Sequence, residues 1–126
     1  MTRTIFAAAI AATLLTGAAS AAQTSLQIEL NSARDFERRV MTYDCATETP
    51  ITVTYINAAP NFLALVPVAD ELEELVFASV ISASGVRYVS GKWAWWTRGA
   101  DASLYDTTLG EDAAAVLKCS EVINTP

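Results

Sequence analysis

The chain has no histidine. The side chain most used for proton transfer near neutral pH is therefore unavailable, and with it every nucleophile that depends on an imidazole partner. Cysteine is nearly absent too, with only Cys45 and Cys119 present. No glycine-rich phosphate loop occurs, so nucleotide chemistry has no carrier. What remains for catalysis is a carboxylate pair such as Asp101 and Asp106, or members of the acidic run Asp70–Glu74. These fall where solvated charges ordinarily fall, so an enzyme is not expected, and neither a cofactor nor a metal is implied. Basic residues are also in short supply, with 8 Lys and Arg against 14 Asp and Glu. That balance speaks against nucleic acid and anionic membranes as partners and favours a cationic one.

Long hydrophobic runs are missing except at the amino terminus. Met1–Thr4 carries one positive charge, residues 5–18 are apolar, and Ala19–Ala21 offers the small-x-small pattern of a signal-peptidase site. A membrane span needs roughly 20 residues and a basic flank; this run is shorter and small residues follow it. An export signal cleaved after Ala21 is the expectation. The stretch "GAASAAQ" has no cysteine to acylate, so the expected product is soluble, periplasmic and without a lipid anchor. Without Arg3, seven basic residues face 14 acidic ones and the net charge is about −7. In an oxidising compartment the two cysteines are expected to pair.

Residues 22–39 read as a leader, with Asn31 or Ser32 able to cap a turn or two of helix. From Val40 the period changes to two: Met41, Tyr43 and Cys45 alternate with Thr42 and Asp44, and Ile51, Val53 and Tyr55 with Thr52 and Thr54. Further strand-length runs cover Phe62–Val68, Leu72–Val80, Val86–Ser90, Trp93–Arg98, Ala102–Asp106 and Ala114–Cys119. About eight short strands at this spacing predict one all-β domain over residues 40–126, a small antiparallel sandwich or barrel. Cys45 and Cys119 lie near its two ends, where a bridge would tie the first strand to the last.

The turn between Tyr88 and Trp93 has enough chemistry to set a register. Gly91 followed by Lys92 suits a two-residue type II′ turn, in which glycine takes the positive φ. Tyr88 then faces Trp95 and Val86 faces Thr97 on the core side, while Arg87 faces Trp96 on the other. The same register carries Ser84 opposite Gly99, so the turns "SASG" (Ser82–Gly85) and "TRG" (Thr97–Gly99) form one rim, with Arg98 near Trp96 as a cation beside an aromatic ring.

These residues resemble the periplasmic and membrane-bound inhibitors of c-type lysozyme, the MliC/PliC family. The likeness runs from "TYDC" (Thr42–Cys45) through "ITVTY" (Ile51–Tyr55), "SASGVRY" (Ser82–Tyr88) and "WWTRGADASL" (Trp95–Leu104) to Cys119. It implies an eight-stranded antiparallel barrel closed by a Cys45–Cys119 disulfide. It also implies that the protein binds a basic c-type lysozyme, plugs its cleft and so protects peptidoglycan. Ser84 and Arg98 match the positions that enter that cleft, with Ser82, Gly85, Gly99 and Trp96 around them. Where the family usually has lysine this chain has Arg98, which keeps the charge on a planar, bulkier group. The competing expectation is a barrel whose mouth holds a small apolar ligand, or a module for another cell-wall protein; interior filling by Phe62, Phe77, Tyr88, Trp93 and Trp95 would oppose the first.

Overall fold

A computed structural model of the chain describes residues 25–29, 35–46 and 49–123. The chain divides into two compact units, Met1–Leu30 and Asn31–Pro126. Within the first, residues 25–29 carry neither helix nor strand. The expected export signal and the Asn31 or Ser32 cap lie outside the described residues.

The second unit is an antiparallel barrel. Its strands are β1 (Glu37–Asp44), β2 (Ile51–Ala58), β3 (Asn61–Pro67), β4 (Glu74–Val80), β5 (Val86–Ser90), β6 (Trp93–Arg98), β7 (Asp101–Asp106) and β8 (Leu117–Glu121). They hydrogen-bond in sequence order, and β8 returns to β1 to close the barrel. Of the two architectures the strand count allowed, the barrel is the one formed. The Cys45–Cys119 disulfide is present and links the residue after β1 to the middle of β8.

Some boundaries differ from the expectation. β1 begins at Glu37, three residues before Val40, because Glu37–Arg39 pair with Tyr55–Asn57 of β2; Glu37–Arg39 are strand and not helix. Leu72 is fully exposed in the turn before β4, so the strand starts at Glu74. Residues 107–109 form a 3₁₀ turn capped by Asp106, which delays β8 to Leu117.

Alternation decides the core. Tyr43, Val53, Val66, Phe77 and Trp95 are its largest fully buried side chains, and an eight-stranded barrel is just narrow enough for such side chains to fill. Phe77, Tyr88, Trp93 and Trp95 point inward as expected. Phe62 does not: it follows the β2–β3 turn at the barrel end and is 39% exposed, because its strand has run past the interior there. Val86, at the start of β5, is exposed for the same reason.

Three polar groups inside the barrel satisfy one another. Trp95 Nε1 donates to Tyr55 Oη at 2.9 Å, and the Tyr55 and Tyr43 hydroxyls are 2.7 Å apart. The Tyr43 and Trp95 rings meet edge to face at 5.3 Å, an arrangement favoured by the ring quadrupole. An unpartnered hydroxyl or indole N–H in this position would cost about 1–3 kcal/mol. Burial raises the pKa of Tyr43, with the Tyr55 hydroxyl adding to it, and burial also raises Tyr55 and Tyr88.

Two outcomes follow from this core. Replacing both cysteines by serine reopens a chain separation of 74 residues, and the loop-entropy relation gives a loss of about 4–5 kcal/mol, readable as a lower urea midpoint with an unchanged native spectrum. The raised tyrosine pKa values mean that the folded state holds these protons more tightly than the unfolded chain does. Their contribution is complete below the ordinary tyrosine value of 10.0 and is lost as pH rises above it. Melting temperature should therefore stay level from pH 7 to about 9 and fall above about 10, and Tyr88→Phe should flatten part of that fall.

Candidate functional site

The β5–β6 hairpin forms in the expected register: Val86 opposite Thr97, Arg87 opposite Trp96, Tyr88 opposite Trp95, Ser90 opposite Trp93. Gly91 has φ +54° and Lys92 does not share the positive φ, as a type II′ turn requires. Fixing that turn fixes everything upstream, because each pairing step carries the two chains along together. At the far end of the hairpin the segment 81–85 and the turn 99–100 lie side by side.

Contact between them runs through Gly85. It adopts φ +65°, and a Cβ there would collide with the Thr97 carbonyl oxygen and sit 2.8 Å from Arg98 Cγ. Only glycine allows this approach. Ser82 Oγ donates to the Ser84 carbonyl at 2.6 Å, and Trp96 Nε1 donates to the same oxygen at 2.8 Å. The Ser84 main chain is thus held from both sides, while its exposed hydroxyl has no partner among the described residues. Arg98 is exposed and stacks over the Trp96 ring at 4.2 Å. Gly99, with φ +57°, turns the chain into β7. Ser82, Ser84, Gly85, Trp96, Arg98 and Gly99 therefore form one surface at one end of the barrel, with a neutral hydroxyl and a guanidinium at its edge.

The acidic run takes a different place. Residues 68–73 connect β3 to β4 and the segment 81–85 connects β4 to β5, so the two lie at opposite ends of the barrel. Glu71 there accepts from Trp93 Nε1 at 3.1 Å, a structural use that the charge pattern did not reveal. Asp101 and Asp106 stand at the two ends of β7, roughly 16 Å apart at strand rise, too far to share one substrate bond as acid and base. Asp101 accepts from Ser120 Oγ. Asp106 accepts from the Thr108 hydroxyl and amide and pairs with Lys92, and these partners hold its pKa below the usual value.

A feature not legible in the sequence is a groove of about 700 Å³ on the outer wall of β5–β7. It runs from Ile81–Ala83 past Arg87, Trp96 and Tyr105 to Glu111 on the β7–β8 connection. Its lower wall comes from residues that the alternation pattern left as loop.

A closed barrel with a packed interior, two loops hydrogen-bonded and packed into one rim, and Asp101 and Asp106 both engaged in structural bonds is built as a binding module. Residues 43–112 match the family described as membrane-bound lysozyme-inhibitor of c-type lysozyme, MliC. The chain belongs to this family. It is 41% identical to the membrane-bound lysozyme inhibitor of C-type lysozyme of Pseudomonas aeruginosa over 85 residues, covering 68% of this chain and 66% of that protein. It is 32% identical to the Cupriavidus necator protein of the same name over 118 residues, covering 92% and 93%. The fold is similar to the crystal structure of Pseudomonas aeruginosa MliC in complex with hen egg white lysozyme. That likeness has a TM-score of 0.65 and 36% identity, covering 79% of this chain and all but 1% of the other.

Two glycines separate local strain from loop packing. Gly85→Ala meets both a left-handed φ and the Thr97 carbonyl, and should cost about 3 kcal/mol or more while pushing the two rim segments apart. Gly91→Ala meets the φ penalty alone, since nothing lies within 4 Å of the added methyl group, and should cost about 1–2 kcal/mol. Urea midpoints of the two variants against wild type check the difference.

Proposed function

We propose that this protein inhibits c-type lysozymes by seating the rim of Ser84 and Arg98 in the enzyme's substrate cleft, as a binding protein and not an enzyme. The observation that carries this reading is the packing of Gly85 onto Thr97 and Arg98. It brings the two loops together as one exposed surface, in a family with a member crystallised with hen egg white lysozyme.

The chemistry is direct. Lysozyme works with two carboxylates, one kept protonated as the acid and one ionised, in a groove shaped for sugar. A guanidinium reaching them forms charge-assisted hydrogen bonds and fills the volume the sugar needs. Arg98 must leave the Trp96 ring to do so, giving up about 0.5–1 kcal/mol of exposed cation–π attraction, less than the bonds gained. Ser84, whose hydroxyl is uncommitted and whose carbonyl is pinned, can donate to a carboxylate without reorganising its backbone. The acidic excess of the chain draws a basic target and speeds encounter at low salt. Because the run at Asp70–Glu74 lies at the other end of the barrel, its share in this is long-range field and not contact.

The site of action we infer is the periplasm, reached through a signal cleaved after Ala21. The relatives carry "membrane-bound" in their names; here "GAASAAQ" lacks a cysteine for acylation, which supports an unanchored protein guarding peptidoglycan from within the envelope.

Lysis of a cell-wall suspension by a c-type lysozyme, with the oxidised mature domain added at low and physiological salt, tests the proposal. Near-stoichiometric inhibition that weakens with salt is expected; none from a folded, disulfide-bonded sample removes the function. Arg98→Ala should weaken binding by about 2–4 kcal/mol, mainly through faster dissociation, and Ser84→Ala should weaken inhibition without moving the melting temperature. Arg98→Lys keeps the charge and loses the planar fork, so inhibition equal to wild type would show that charge position is what counts. Wild-type inhibition by both alanine variants would remove the rim assignment.

A further inference from the structure

The groove on the outer wall of β5–β7 shares Ser82 and Trp96 with the rim and extends away from it past Arg87 and Tyr105 to Glu111, over a lining with its own chemistry. Its floor holds two aromatic rings, Trp96 and Tyr105, with centroids 6.4 Å apart and planes tilted by 58°. Both are half-buried, so they are seated firmly and still present ring surface. A smaller concavity beyond them, lined by Arg98 and Asp101, shares the same two rings and extends the surface sideways. Around the floor stand polar groups of both signs. Arg87 lies directly opposite Trp96 and forms no ion pair or hydrogen bond among the described residues. Glu111 is exposed on the β7–β8 connection, and Ser82, itself part of the rim, lies at the other end.

This combination sorts ligand classes. An apolar ligand would bury Arg87 and Glu111 without partners, which is unfavourable. A polyanion would meet Glu111 and the net charge of −6, and a compact cation would meet Arg87 while Asp106 is already paired with Lys92. A sugar chain avoids all three conflicts. Its rings have an apolar face that lies on an aromatic floor, and its edge hydroxyls both donate and accept, using guanidinium, carboxylate and serine alike. The size fits as well, since the groove falls within the roughly 300–1,000 Å³ of ordinary ligand clefts. We propose that the Trp96–Tyr105 groove binds an uncharged oligosaccharide segment, with Arg87 and Glu111 fixing its hydroxyl edges. Such a segment would run along the barrel wall and end beside the Ser84 and Arg98 rim. This inference stands on the groove alone and does not require lysozyme inhibition.

The test uses the oxidised mature protein without lysozyme and chitotetraose, an uncharged N-acetylglucosamine oligomer, as the probe. Titration is followed by the indole N–H resonances and by tryptophan emission. Trp96 is the half-exposed indole, whereas Trp93 and Trp95 are buried, so a groove ligand should move Trp96 in a saturable way and leave Trp95 unmoved. Tyr105→Ala should weaken the sugar by about tenfold or more and Arg87→Gln by a smaller factor. Arg87→Gln removes a surface charge without opening the core, so it keeps the test valid if Tyr105→Ala does not fold. The proposal is overturned by no saturable shift up to about 5 mM chitotetraose, by shifts that persist unchanged in both variants, or by a sulfated oligosaccharide binding more tightly than the uncharged one. Loss of lysozyme inhibition in Tyr105→Ala together with no sugar binding would make the groove part of a protein contact, and would also overturn it.

Discussion

Everything on this molecule hangs on a short seam. β1 pairs with β2 along Glu37–Tyr43, yet it meets β8 only where Tyr43 faces Glu121 and Asp44 faces Ser120, with one further bond from the Val122 amide to the Thr42 carbonyl. Strand pairing of that extent is weak closure for a barrel. The disulfide adjoins it, joining Cys45 to Cys119, the residues next to Asp44 and Ser120, and the Tyr43 hydroxyl reaches inward from the same seam to the Tyr55 hydroxyl, which accepts in turn from Trp95 Nε1. A covalent tie at the surface of the core and a satisfied polar chain within it thus hold the first and last strands together. Without them the sheet would have two open edges, each a template for association with other chains.

Closure also explains why the rim holds one register although it is built from loops. The β5–β6 hairpin is anchored by Trp95, fully buried and hydrogen-bonded to Tyr55, so its register cannot slip without turning that indole to solvent. The alternate residues of the same strands, Arg87, Trp96 and Arg98, are thereby fixed on the outside. One strand, "WAWWTR", supplies a core anchor, a hydrogen bond to the Ser84 carbonyl and the exposed cation of the rim. Folding energy and the geometry of the rim are coupled through adjacent side chains.

Legibility followed sequence distance. The Gly91–Lys92 turn is local chemistry, and the pairing it imposed was readable as far as the rim. The inward set was readable from alternation wherever a strand lies within the barrel, and misleading where one overruns its end, as at Phe62 and Val86. The role of Glu71 beneath Trp93 was not readable, because those residues are 22 apart in the chain and meet only when β4 and β6 are placed around one end of the barrel. Nor was the outer groove, one wall of which is the irregular segment after β7.

That an acidic, histidine-free, mostly alternating chain makes a small β domain with Cys45 and Cys119 near its ends, and that the two rim turns are neighbours, could be read from the residues alone. Those properties come from composition, from a period of two and from one turn, all local. Only the packed fold settles that the sheet closes as a barrel and not a sandwich, that Gly85 lies beneath the stem of Arg98, and that the acidic run and the rim occupy opposite ends. These depend on how far each strand is staggered against the next around the ring, a quantity set by packing all eight strands on one core at once.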